Sequence, residues 1–137
     1  MRLAISGSMH FAEKIVEVRN DLTRMGYEVA VSDFVKDFIG KSDEEKEKLK
    51  LEQKANYDVI MEFWNMMQGM EGLLVLNMDK NNIKNYIGGN TLMEIGFAHI
   101  LNQKLFLYNP IPDISFYKSE LESLNPIIIN GELSLIK

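Results

Sequence analysis

Short apolar runs alternate along this chain with stretches in which apolar residues return every three or four positions. Leu3-Ala4-Ile5 gives way to Ser6-Gly7-Ser8, after which Phe11, Ile15, Val18, Leu22 and Met25 recur at spacings of four, three, four and three. That spacing lays one apolar stripe along a helix. Gly26 stands where such a helix wants a left-handed residue to end it, and Tyr27 to Val31 alternates as a second strand. From Asp33 to Lys54 the pattern turns polar, with a dense mixed-charge run at Lys41-Ser42-Asp43-Glu44-Glu45-Lys46-Glu47-Lys48. This run reads either as a solvated loop and exposed helix start, capped by Ser42 or Asp43, or as a mobile lid over a site. Ala55, Val59, Phe63, Met66 and Met70 then recur at four, four, three and four, so the helix is expected to continue to about Gly69. Met61, Trp64 and Met67 fall off that stripe and predict an apolar partner surface, and through it a homodimer or higher homo-oligomer.

Beyond Met70 the runs shorten. Gly72 to Leu76 is continuously apolar, as in a parallel strand buried on both faces. Asn77 to Asn82 is polar and turn-rich, and Gly88-Gly89-Asn90-Thr91 opens a helix expected to reach about Asn102. Leu105 to Tyr108 forms another strand, stopped by Asn109-Pro110. A short helix from Ser115 to Leu124 and a last strand from Pro126 to Ile129 complete the pattern. Strands separated by helices imply right-handed crossovers and a parallel sheet covered on both faces. With five strands, the expectation is an α/β, flavodoxin-like (Rossmann-like) three-layer sandwich of order 2-1-3-4-5, formed by residues 1–137 as a single domain.

Composition narrows the function classes. Fifteen Lys and Arg stand against 20 Asp and Glu, and the net charge of −5 gives no general attraction for phosphate backbones, so duplex nucleic acid is not an expected partner. The absence of cysteine removes disulfides, thiol catalysis, iron–sulfur clusters and thiolate zinc sites together. His10 and His99 are the only imidazoles and are read as structural, so no metal is assigned to either. No apolar run reaches 18 residues and no basic segment with a long apolar stretch opens the chain, so no membrane association and a cytoplasmic location are expected.

Ligands of such sheets bind at the carboxyl ends of the strands, beside the point where strand order reverses. Three segments must converge there: Ser6-Gly7-Ser8-Met9-His10, Asn77 to Asp79, and Gly88-Gly89-Asn90-Thr91. Small residues between a strand and a helix let backbone N–H groups face an anion, so Ser6, Gly7, Ser8 and Met9 suit a phosphate or a sugar hydroxyl. Tight strand-to-helix geometry asks for the same residues. The spacing is not GxxxxGK[ST], which leaves P-loop phosphoryl transfer without support. Asn77 and Asp79 are polar candidates for the same edge, with Asp79 equally a turn residue beside Asn81 and Asn82. Glu94 is the only acidic residue in Leu92 to Leu101, a stretch apolar nearly all round. A carboxylate there has either a partner or a task. Thr91-x-x-Glu94 matches a capping box. Placed in the first turn, Glu94 would also be kept ionised by the helix dipole, and an ionised carboxylate in an apolar pocket can attack the anomeric carbon of a sugar.

Gly88-Gly89-Asn90-Thr91-Leu92-Met93-Glu94-Ile95-Gly96-Phe97-Ala98, together with Ile5-Ser6-Gly7-Ser8 at the first turn, resembles the nucleoside 2-deoxyribosyltransferase superfamily. That superfamily includes the deoxynucleoside 5′-monophosphate N-glycosidases. The Gly-Gly-x-Thr-x-x-Glu string is also similar to the phosphoribohydrolases that release cytokinin bases. The resemblance implies that Glu94 is a nucleophile forming a glycosyl-enzyme ester, with Ser6, Gly7 and Ser8 at the sugar or 5′-phosphate end. It also implies an aspartate in the helix before the third strand. Counting back from Glu71 reaches Phe63, which leaves Glu62 or Asp58 to take that role. The implied activity is cleavage or transfer of the N-glycosidic bond of a nucleoside or nucleotide, without metal or organic cofactor, in an enzyme with sites near subunit contacts. The alternative is a non-catalytic nucleotide-binding sensor or regulatory module using the same crevice.

Overall fold

The computed structural model describes residues 1–137 and holds a five-stranded, wholly parallel sheet. The strands are β1 (Arg2–Ser6), β2 (Glu28–Ala30), β3 (Gly72–Val75), β4 (Lys104–Leu107) and β5 (Ile127–Ile128). Their order is β2-β1-β3-β4-β5, the flavodoxin-like order that the pattern of runs implies. The helices are α1 (Ala12–Arg24), α2 (Asp43–Asn56), α3 (Val59–Met67), α4 (Gly89–Ile100) and α5 (Lys118–Ser123). No helix is long and apolar enough to cross a membrane.

The two-residue period of a strand sends neighbouring side chains to opposite faces, and each face has its own core. Leu3, Ile5, Leu74, Leu76 and Phe106 point to one side, where Ile15, Val18 and Leu22 of α1 meet them together with Phe38. Ala4, Leu73, Val75 and Leu107 point to the other, against Phe63 and Met67 of α3, Ile95 and Ala98 of α4, and Leu121 of α5. Full burial of a strand on both faces is why β3 reads as an uninterrupted apolar run rather than an alternating one.

Two expectations fail in the middle of the chain. The helix predicted to run through to Gly69 is broken at Tyr57-Asp58, where the Asp58 carboxylate accepts the Met61 N–H at 3.0 Å and starts α3 anew. The rotation gained at this break changes which residues face the sheet. Met67 becomes fully buried core, and Trp64 packs edge-on against Phe97 with ring centroids 5.1 Å apart, while Met61 stays 50% exposed. Met61, Trp64 and Met67 therefore do not form a shared outer surface, and the assembly argument built on them loses its footing. The mixed-charge run, by contrast, does begin a helix: Ser42 and Glu45 form a capping box at the start of α2. That helix is tied down, since the buried Lys46 ammonium bonds Glu13 at 2.6 Å and the His10 carbonyl at 3.1 Å. His10 itself pairs with Glu47 at 2.9 Å, in keeping with a structural histidine.

Candidate active site

A cleft opens where the ends of β1 and β3 meet the start of α4, with α2 and α3 as its outer walls. Gly7, Ser8, Met9, Gly88, Gly89, Asn90, Thr91, Glu62 and Glu94 all reach it, so the sequence candidates from the first turn and the glycine turn converge as expected. Ser6 sits immediately behind, at the end of β1, and donates its hydroxyl to Glu94 Oε1 at 2.5 Å.

That contact replaces the capping box. Helix α4 starts at Gly89 with Gly88 as its cap residue, no side chain closes its N-terminus, and no acidic residue lies in its first turn. Glu94 therefore stands one turn further in than the sequence implied, where the influence of the helix dipole has largely faded. Only 6% exposed, it is pushed up to about 7, chiefly by burial and further by the negative charge of Glu62, with the Ser6 hydrogen bond opposing the shift. The expectation of a carboxylate held ionised by the helix dipole is thus corrected: in this cleft desolvation wins. The second oxygen, Oε2, has no protein partner and belongs to a residue that lines the cleft.

A second serine–glutamate pair lies alongside. Ser32, just beyond β2, donates to Glu62 Oε2 at 3.2 Å and accepts the Phe34 N–H at 3.2 Å. Burial, and after it the charge of Asp33, raise the Glu62 carboxyl above its ordinary range, against the pull of the Ser32 hydrogen bond. Of the two residues left open for the family's aspartate, Glu62 lines the cleft, whereas Asp58 is occupied as the α3 cap and does not line it. Ser32 was not legible as a site residue, because only the strand order places the end of β2 beside that of β1.

Asn77 and Asp79 also go elsewhere. Asn77 is wholly buried; its Nδ2 donates to the carbonyls of Asn109 and Pro110 at 2.8 and 3.0 Å, and its Oδ1 accepts the Asn109 N–H at 2.9 Å. It stitches together the chain leaving β3 and the chain leaving β4. Asp79 accepts the Asn85 N–H at 2.9 Å and braces its own loop. Neither side chain faces the cleft.

The glycines have steric tasks. A Cβ on Gly7 would lie 3.1 Å from the Leu76 carbonyl oxygen, so the close passage of this turn past the end of β3 itself requires glycine. At Gly88 a Cβ would lie 3.1 Å from the Tyr86 hydroxyl, and the missing side chain lets that ring border the cleft. The remaining lining includes three lysines, Lys50, Lys54 and Lys80, that the periodicity did not single out. No group of three or more His, Asp or Glu side chains is placed to hold a metal ion. Comparison with protein-family models, with curated proteins and with solved structures gave no significant match, so the geometry of the cleft carries the functional argument alone.

Proposed function

We propose that the protein cleaves or transfers the N-glycosidic bond of a nucleoside or nucleotide through a covalent glycosyl ester on Glu94. The observation that carries this reading is a buried glutamate at the ligand edge of the sheet, held through one oxygen by Ser6 and open through the other to the cleft. Pinning by the Ser6 hydroxyl fixes the rotamer, which lowers the entropic cost of bringing Oε2 to the anomeric carbon. As the new C–O bond forms, the C–N bond breaks and its electron pair leaves with the base, which takes up a proton. Attack of water, or of a second base, on the same carbon then frees Glu94. Glu62 shares the cleft with Glu94 and has a raised affinity for protons, so it is the group suited to exchange a proton with the leaving base or with the attacking water. Burial helps by keeping Glu94 poorly solvated and hence reactive once its proton is lost.

A panel of nucleosides and nucleotides, assayed for free base, tests the reading. Base release by the parent protein and none by Glu94→Gln is the expected result. A slow 2-fluoro sugar analogue should leave a mass adduct on the peptide containing Glu94, and an adduct elsewhere would reject the assignment. Ligand binding with no base release from any member of the panel would turn the assignment to a nucleotide-binding module.

A further inference from the structure

A helix on the surface is ordinarily docked by an apolar stripe, and α1 follows that rule with Ala12, Ile15, Val18 and Leu22 buried. Helix α2 does not. Its buried residues are Lys46 and Gln53, with Leu49 half-buried on the same side against the core. A lysine and a glutamine thus stand where leucines would be expected, and Leu51 is 59% exposed. What holds α2 is therefore largely polar. The Lys46 ammonium bonds Glu13 Oε2 and the His10 carbonyl, Glu47 pairs with His10 at 2.9 Å, and Gln53 Nε2 donates to Asp37 at 3.3 Å. Glu13 acts twice, because its Oε1 accepts the Gly40 N–H at 3.0 Å. One carboxylate on α1 clasps both the helix and the segment that leads into it. The Lys46 bond chiefly holds that carboxyl below its ordinary range, and Lys50 and His10 draw Glu47 down to about 2, so both are ionised at neutral pH.

Both ends of α2 are free to turn. Gly40 sits at φ 77° with open space where a Cβ would be, and Lys41 and Ser42 are exposed. After the helix, Tyr57 is extended and 60% exposed, touching Phe34 with its ring. Between these ends α2 supplies Lys50, Gln53 and Lys54 to the cleft. The loop after β3, which brings Lys80 to the same cleft, is built differently. Asn81 and Asn82 both adopt positive φ, 54° and 61°, between two backbone hydrogen bonds that join Lys80 and Ile83 at 3.0 and 2.9 Å. This is the two-residue turn that a tight hairpin requires, and asparagine tolerates it well. Asp79 braces Asn85, and Lys80 donates to the Ser8 hydroxyl at 3.2 Å, so the loop is bonded to itself and to the first turn. No hydrogen bond or ion pair joins it to α2. Lys50 and Lys54 repel Lys80, while Glu47 and Asp43 attract it. The cleft has one wall fixed by its own turn and another moored mainly by charge.

We propose that α2 is a lid on the cleft, latched by Glu13 through Lys46 and Gly40, and that it swings between Gly40 and Tyr57 while α1 and the sheet stay folded. Partly exposed ion pairs are individually weak and are screened by salt, whereas an apolar stripe is not. An element moored by such pairs opens at a small fraction of the free energy that unfolds the core. Opening draws Lys50, Gln53 and Lys54 away from the first turn and lets a ligand in or out; closing excludes water from the cleft. The lid governs access and is independent of the chemistry done beneath it.

The test is hydrogen–deuterium exchange of the parent protein, read by mass spectrometry at low salt and at about 0.5 M sodium chloride. Amides of α2 should exchange at least about tenfold faster than those of α1 and β3, and salt should speed them several-fold while α1 is unmoved. Glu13→Gln keeps an acceptor for Gly40 but strands the Lys46 charge, so at low salt it should speed α2 exchange about tenfold and remove most of the salt response. Adding Lys46→Met replaces the stranded charge with an apolar stem and should restore protection. Access to the cleft is read separately. The chain has no cysteine, so Val35→Cys places a single thiol at a buried position in the cleft wall. Its reaction with a neutral thiol reagent should quicken with salt and with Glu13→Gln, in step with α2 exchange. Exchange of α2 and α1 at one common rate, an α2 rate indifferent to salt and to Glu13→Gln, or no recovery on adding Lys46→Met overturns the latched lid. A thiol reaction that ignores the opening of α2 overturns its place over the cleft. None of these readouts involves base release, so failure of the lid and failure of the glycosidic reading are told apart.

Discussion

Glu94 gives up its proton at about pH 7 when folded, against an ordinary value of 4.5. Between those two pH values the folded state holds a proton that the unfolded state has lost, so stability falls as the pH rises through this window. The full effect amounts to roughly 3 kcal/mol for a buried group shifted this far. Glu94→Gln keeps an acceptor for Ser6 and removes the titration. It should therefore be more resistant to urea than the parent at pH 8, with the gap closing as the pH falls towards 5; a gap independent of pH would contradict the shifted titration. For the proposed activity the sign reverses, because a carboxylate acting as nucleophile must be ionised: kcat/KM should rise through about pH 7 as Glu94 loses its proton. Glu94 was conspicuous in the sequence as a lone acid in an apolar stretch, but its protonation was not. That property comes chiefly from burial in the folded cleft and further from Glu62 on a separate helix, against the opposing hydrogen bond from Ser6, 88 positions away. Lys80 was hidden for a related reason, since nothing in a polar turn tells which of its side chains is aimed inward.

Among the elements, α3 shows how a short local signal can outrank a long periodic one. The four-or-three spacing from Ala55 to Met70 passes straight across Tyr57-Asp58, yet the chain breaks there because the Asp58 side chain satisfies an N–H that a new helix would otherwise leave bare. Asp58→Ala should cost about 1 kcal/mol of stability and leave base release unchanged, whereas Glu62→Gln should lower base release with little loss of stability. The opposite pattern would return Asp58 to the site. The asparagine turn makes a second test. Asn82→Gly should be nearly neutral in urea denaturation, while Asn82→Val, a branched residue forced to positive φ, should lose about 1–2 kcal/mol. The lysine-rich wall of the cleft was legible only as a polar face, because helical spacing groups Lys50 with Lys54 but cannot say which way that group turns.

For the molecule as a whole, strand order and layer count followed from the alternation of runs and helices, because parallel strands and right-handed crossovers leave few other arrangements. What the outer face of α3 does could not follow, since it depends on a helix break. Trp64 against Phe97 is internal packing, and Trp64→Glu should lower the melting temperature equally at low and high protein concentration. A loss that fades at high concentration, accompanied by a change of mass in light scattering, would reinstate a subunit contact.

The position of β1 bears on how the protein is made. The strand of this sheet that is synthesised before the others is an inner one, flanked by β2 on one side and by β3 on the other. Its first partner follows within 30 residues, but its other edge stays bare until Gly72–Val75 emerge, and the partner of Ser6 comes later still at Glu94. At roughly 5–20 residues per second, one edge of β1, with its apolar Leu3-Ala4-Ile5 centre, waits unpaired for seconds while the chain is extended by its most highly charged stretch. Ribosome-bound chains halted near residue 70 should be sticky and protease-sensitive, and those halted well beyond residue 107 should be neither.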